Sequence, residues 1–270
     1  MNNATDSKYK RRDFDTYADI LYEVANDICT ITINRPNVLN AWTQNTLYEL
    51  EDALLAADSD RSVGVIVLTG CGERAFCVGG DINWEASGGL AKVDFNLSHL
   101  LIDLAKPVIA RVNGYSIGGG NHLAYFCDIT IAAEHALFGQ AGPRVGSPAG
   151  GYMVSHLSNI IGHKRAREIW MVCRKYSAQQ MLEWGLVNAV VPYSELDKEV
   201  RKWANEMLAL SPTCLKIVKA SFKQAMAPVM QGEMQDLIDE YAPGYFETGE
   251  QHEGATAFLE KRMPDFSPWR

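Results

Sequence analysis

Val78-Gly79-Gly80-Asp81 and Ile117-Gly118-Gly119-Gly120 each follow a short apolar run and precede a stretch of helical patterning. Glycine lets the backbone approach a ligand with no Cβ in the way, and the free N–H groups at a helix start favour developing negative charge. One glycine-rich turn reverses a chain and need do nothing more. Two of them in the same strand-turn-helix setting predict two clusters of backbone N–H groups aimed at one point, the arrangement of an oxyanion hole.

The elements that must hold those turns can be read from the pattern. Residues 20–24 and 28–33 alternate as strands around the turn signal Asn26-Asp27 and predict a hairpin. Thr43 is placed to cap a helix in which Leu47, Leu50, Leu54 and Leu55 recur at helical spacing through Ala57. Residues 63–69, 107–112 and 128–133 are continuous apolar runs of the kind buried on both faces of a sheet, and a helical pattern covers 93–104. This alternation, at roughly 40-residue spacing, predicts stacked ββα turns rather than one open doubly wound sheet. Beyond residue 150 the pattern is helical, over 153–161, 164–173, 178–183, 195–210 and 212–227, with a further helical region over 233–262 broken near Pro243-Gly244. Such a tail cannot bury its faces alone and should pack on the core or on a neighbouring subunit. The expected organisation is a polar N-terminal extension over 1–17, a ββα core over 18–205 and a C-terminal helical region over 206–270.

Composition narrows the function. The chain has 270 residues, 47% of them hydrophobic, enough for one substantial core. A net charge of −8 and a pI near 5.3 argue against nucleic acid, which needs a basic face. The six cysteines are scattered with no CxxC pair, which predicts free thiols in a reducing compartment and no metal site. Lys8, Lys10, Arg11 and Arg12 have no apolar stretch behind them, so no secretory signal is expected, and no run approaches the length of a membrane span. A cytoplasmic protein is expected.

The segments Arg74-Ala75-Phe76-Cys77-Val78-Gly79-Gly80-Asp81, Asn113-Gly114-Tyr115-Ser116-Ile117-Gly118-Gly119-Gly120, Cys127-Asp128-Ile129, Phe138-Gly139-Gln140 and Gly185-Leu186-Val187-Asn188 resemble the crotonase (enoyl-CoA hydratase/isomerase) superfamily, across the chain from residue 18 onward. Within it, the stretch from Gly162 to Trp170, Leu208-Ala209-Leu210-Ser211-Pro212 and the ending Glu260-Lys261-Arg262-Met263-Pro264-Asp265-Phe266 are most similar to the branch of 1,4-dihydroxy-2-naphthoyl-CoA synthase and 2-oxocyclohexanecarboxyl-CoA hydrolase. The resemblance implies an α/β fold with a crotonase-type ββα spiral core and a C-terminal helical region. It also implies an acyl-CoA thioester substrate, coenzyme A carried on that substrate with no tightly bound cofactor, and a homotrimer or a dimer of trimers.

By that resemblance the N–H groups of Gly80 and Gly119 hold the thioester oxygen while an enolate forms. The two positions that carry glutamates in enoyl-CoA hydratases are His122 and Gly142 here, so hydration by a glutamate pair is not expected. In the synthase branch the equivalents of Gly142, Gln140 and Trp170 line a bicarbonate site. The aspartate and tyrosine that move protons in that branch correspond to Ala149 and Phe246, with Tyr245 one residue earlier, and the loop after Asp81 is short and carries only Lys92. Asp81 and Asp128 are read as structural rather than as an acid/base pair.

His122 is therefore the titratable group of most interest, an imidazole suited to activating water or protonating a carbanion near neutral pH. His99 and His156 are lesser candidates. Trp84, beside Asp81, is expected to line an acyl pocket, more so than Trp42 or Trp170. The resemblance also lays the CoA nucleotide along Val38 and Leu39 and along the stretch containing Ala75, Val78, Gly79, Asp81 and Ile82, with Lys261 near the phosphates. The expected reaction is hydrolytic C–C opening of an alicyclic 3-oxoacyl-CoA ring. The alternatives are the ring-closing synthase reaction, an atypical hydratase or isomerase acting through His122, and a CoA-ester-binding protein without turnover.

Overall fold

A computed structural model describes residues 9, 11–12, 14–90, 96–228, 230 and 232–270. β1 (Ile20–Ala25) and β2 (Ile28–Ile33) form the expected antiparallel hairpin, with Ile20 opposite Ile33 and Ala25 opposite Ile28. Asn26 and Asp27 between them both have positive φ, 52° and 62°, the backbone that suits a two-residue hairpin turn and that short polar side chains tolerate. α1 (Gln44–Ser59) starts at Thr43, whose N–H donates to the Thr46 hydroxyl at 3.1 Å in a reciprocal cap.

The predicted ββα repetition is present and distributed over two sheets. β3 (Val65–Gly70), β5 (Val108–Val112) and β7 (Ile129–Ala133) continue from β2 in parallel, and β10 (Ala189–Val191) pairs with β7, giving the order β1-β2-β3-β5-β7-β10. After each of these three central strands the chain passes to a three-residue strand of a second sheet, β4 (Ala75–Cys77), β6 (Tyr115–Ile117) and β8 (Leu137–Gly139), which β9 (Lys175–Ser177) completes antiparallel to β8. Each short strand then leads into a helix: α2 (Ile82–Ala86), α4 (Gly119–Phe126) and α5 (Gly142–Val145). α3 (Leu97–Asp103) stands between β4 and β5, shorter than the helical pattern over 93–104, of which residues 93–95 and the neighbouring Lys92 lie outside the described residues.

β3 explains why its sequence runs apolar without alternation. Ile66 and Leu68 join the main core with Phe76, Phe138 and Tyr152, whereas Val65 and Val67 face a second cluster with Ile109, Ile131 and the inner face of α9 (Leu196–Leu208), namely Leu196, Val200 and Ala204. The division expected after residue 205 falls inside α9. α6 (Tyr152–Ile161), α7 (His163–Val172) and α8 (Ala178–Trp184) precede it, and α10 (Pro212–Met226), α11 (Met234–Tyr241) and α12 (Glu250–Leu259) follow, with the expected break at Gly244. α10 is tied to the sheet by Lys219, which reaches Asp128 at 2.6 Å, while Asp128 also accepts the Val108 N–H at 2.7 Å. Asp128 is thus structural, as expected. Ile217, Val218 and Phe222 on α10, and Phe258, Leu259 and Met263 further on, are exposed in the single chain.

Candidate active site

Where the two glycine turns meet, a cavity of about 800 Å³ opens between α2, α4, α5 and α7. Trp42 ties the first turn in place: its N–H donates to Gly79 O at 2.9 Å and its carbonyl accepts the Asp81 N–H at 2.8 Å. This strand-like bridge brackets Gly80 and leaves its N–H without a backbone acceptor among the described residues. Gly119 is the first residue of α4, so its N–H has no partner within the helix either. A Cβ on Gly79, where φ is 92°, would lie 3.1 Å from the Gly119 nitrogen, so the turns are in van der Waals contact. The Trp42 ring fills the space that a Cβ on Gly119 would need. Both glycines line the cavity with their N–H groups unspent, and a developing oxyanion is stabilised by such backbone donors where they reach it.

One wall of the cleft is rich in polar atoms without partners. His122 projects from α4 with its ring centroid 5.4 Å from Trp170 on α7 and 5.6 Å from Tyr125. Gln140, which follows β8, is the polar side chain facing the imidazole. No hydrogen bond of good geometry closes: His122 Nε2, both amide atoms of Gln140 and Trp170 Nε1 are all buried and unpartnered among the described residues. Native interiors rarely leave such groups unsatisfied, and four in one cavity wall mark a place for polar ligand atoms or water. Burial pushes the His122 pKa down to about 4, with Gln140 opposing the shift, so the imidazole is neutral at pH 7. In that state it offers a lone pair and is no imidazolium acid, and the same burial makes it a weaker base than an exposed histidine. Gly142 and Ala149 also line the cleft.

The lining also carries a group that the sequence reading passed over. Glu85, on α2, is 7% exposed, lines the cavity and folds back over Gly80, where the carboxyl carbon would be 2.9 Å from a Cβ. Burial raises its pKa to about 6, against the help of the Ser147 hydroxyl and with a further push from Asp81. Asp81 itself caps α2 by accepting the Asn83 N–H at 3.0 Å and pairs with Arg35 at 3.3 Å, so it is held as a structural residue at the cavity rim. The only sequence signal for Glu85 was its place one turn after the Asp81 cap.

Other expected residues separate into those at the cleft and those away from it. Val38, Leu39, Val78, Gly79, Ile82, Trp42 and Trp170 line it. Trp84 does not: successive helical residues point about 100° apart, and Trp84 packs against Gly89 and the edge of the core instead. Ala75 is buried in β4 with its carbonyl accepting from Asn40 at 2.7 Å and Asn113 at 2.9 Å. The Tyr245 hydroxyl donates to Gly146 O at 2.7 Å, next to α5 but outside the cavity lining, and burial raises its pKa. Lys261 is exposed on the segment after α12. His99 lies tilted against Tyr152 with ring centroids 4.0 Å apart and His156 stacks on Phe126 at 4.7 Å, both outside the cleft. The six cysteines are free thiols, the described residues hold no metal-binding cluster, and no described helix is long and apolar enough to cross a membrane.

The model of the family described as enoyl-CoA hydratase/isomerase matches residues 23–268. Among solved structures, the chain is similar to an enoyl-CoA hydratase from Mycobacterium avium subsp. paratuberculosis K-10, at 28% identity over 93% of this chain and 100% of that one, with a TM-score of 0.80. It is similar to an enoyl-CoA hydratase/isomerase from Xanthobacter autotrophicus Py2 at 30% identity, over 93% and 100% of the two chains, with a TM-score of 0.78. A carnitinyl-CoA hydratase from Mycobacterium avium matches at 28% identity over 94% and 100%, with a TM-score of 0.81.

Proposed function

The chain belongs to the enoyl-CoA hydratase/isomerase family, whose members act on acyl-CoA, and from that premise we propose that it opens the ring of an alicyclic 3-oxoacyl-CoA by hydrolysis. The thioester oxygen rests on the Gly80 and Gly119 N–H groups. Neutral His122 takes a proton from water through Nε2 as the water attacks the ring ketone. The C–C bond then breaks, its electron pair becomes the thioester enolate, and protonation at the α-carbon releases the mono-CoA ester of a dicarboxylic acid. The observation that carries this reading is the unpartnered set His122 Nε2, Gln140 amide and Trp170 Nε1 in a cavity that also holds both backbone donors, which gives water and a ketone oxygen somewhere to bind. The CoA portion enters past Val38, Leu39, Val78 and Ile82, where Arg74 and Lys175 bring positive charge to the lining, with Lys261 of this or a neighbouring subunit reaching the phosphates. The exposed apolar residues of α10 and of the segment after it support assembly as a trimer or a dimer of trimers, and the free thiols support a cytoplasmic setting.

The test is mass spectrometry of 2-oxocyclohexanecarboxyl-CoA and a bicyclic analogue after incubation with the protein in heavy-oxygen water. The expected product gains one water, with the label in a new carboxylate; unchanged thioester in both cases would overturn the reading for these rings.

A second reading draws on the same wall. Gln140 and Trp170 offer unpartnered N–H donors that fit a bicarbonate ion, which would supply a base for ring closure of succinylbenzoyl-CoA as in the naphthoyl-CoA synthases. Ala149 has no titratable group, and the Tyr245 hydroxyl is engaged with Gly146, so closure would depend on that ion more heavily than on side chains. The solved relatives named as hydratases favour a third test, hydration of an enoyl-CoA through His122.

A further inference from the structure

We propose that Glu85 is the residue that exchanges a proton with the α-carbon of the bound thioester, an inference that rests on the thioester-enolate part of the reading above. Glu85 has the geometry for it. The side chain leaves α2 one turn past the Asp81 cap and curls back over Gly80, one of the two oxyanion donors, so the carboxyl borders the place where the enolate forms. It is buried yet lines the cavity. Among the described residues it pairs with no lysine, arginine or histidine; its polar neighbour is Ser147 and its charged neighbour is Asp81, whose own charge is met by Arg35. On α12, the helix packed against α2, the titratable side chains are Glu250, His252 and Glu253, and Glu253 is paired with Arg262 at 2.6 Å. A carboxyl held this way shifts its protonation toward neutral pH, which suits proton exchange with carbon. In the reaction the Glu85 O–H bond breaks, the proton joins the α-carbon through the enolate electron pair, the thioester carbonyl re-forms, and the carboxylate regains a proton from water. His122 and Glu85 thus divide the work, one taking the proton of water and the other serving the carbon.

The test is α-hydrogen exchange of cyclohexanecarboxyl-CoA in deuterium oxide, followed by mass spectrometry. This probe has no ring ketone, so it reports on Glu85 whether or not ring opening occurs. The wild-type protein should wash deuterium into the α-position. Glu85→Gln should slow this at least about 100-fold, a loss typical of removing a general acid or base, with the thioester Kd unchanged, and Glu85→Asp should recover part of the rate. Exchange by Glu85→Gln at the wild-type rate would overturn the proposal, as would a wild-type protein that binds the probe and exchanges nothing. Should Glu85→Gln fail to fold, Glu85→Met fills a similar volume and carries the same comparison. Loss of exchange in the variants, together with no ring opening by the wild type, would leave this assignment standing and remove only the ring-opening reading.

Discussion

Two groups of buried carboxylates in this molecule are treated in opposite ways. At the start of the core, Glu49 accepts the Ala18 and Asp19 N–H groups, each at 2.8 Å, and Asp52 accepts from Arg11 Nε at 2.9 Å, from the Arg12 N–H and from the Tyr17 hydroxyl at 2.9 Å. At the cleft, Glu85 is buried to a similar depth beside a serine and another acid. The first arrangement compensates the loss of water around each charge and fastens the N-terminal segment to α1. The second leaves the charge under-compensated, which costs stability and moves the pKa to where a proton can be exchanged. Depth of burial alone separates nothing here; the partner set separates a strut from a reactive group.

That contrast can be broken most sharply at the backbone donors beside Glu85. Gly119→Ala drives a methyl group into the Trp42 ring and displaces an oxyanion N–H, so kcat should fall by about 10²–10³-fold in a turnover assay. His122→Ala removes the group proposed to activate water and should lower kcat by about 10²-fold or more while the Kd for the thioester, measured by calorimetry, stays within a few-fold. On the structural side, Asp52→Asn should destabilise the fold by about 3 kcal/mol in urea unfolding, because the Arg11 and Arg12 donors lose a charged acceptor, with kcat untouched.

The smallest effect has the opposite sign. Glu85 binds its proton more tightly folded, at about 6, than unfolded, at 4.5, so stability falls as pH rises through that window, by about 2 kcal/mol once complete at neutral pH. Glu85→Gln should therefore raise the melting temperature at pH 7 and change it little at pH 4. An Asp52→Asn variant as stable as wild type, or a Glu85→Gln variant no more stable than wild type at pH 7, would erase the distinction. His122 and His156 act against Glu85 in the same range: both are pushed down to about 4 from 6.5, and the stability they hold as neutral groups is lost as pH falls through that interval.

The spiral was legible because its signals are local. Asn26-Asp27 marked the hairpin, Thr43 the helix cap, and the apolar runs behind each glycine turn the central strands. The second sheet was harder to see, since strands of three residues such as β4 and β8 carry no period of their own and are defined by their neighbours. At the site, Gly80, Gly119, His122, Gln140 and Trp170 were all legible as cleft residues, and the structure brings them to one cavity. Trp84 and Glu85 exchanged roles: adjacent positions on a five-residue helix point in different directions, and in so short an element no hydrophobic stripe tells which one turns inward. The phase of α2 is set by the Asp81 cap and by packing against α12, far along the chain.

Trp42 lies far in sequence from both glycine turns, yet its main chain clasps one and its ring abuts the other. One residue thus holds both turns, the first through its main chain and the second through its ring. A change at Trp42 would therefore disturb both glycine turns at once, whichever reaction the cleft supports.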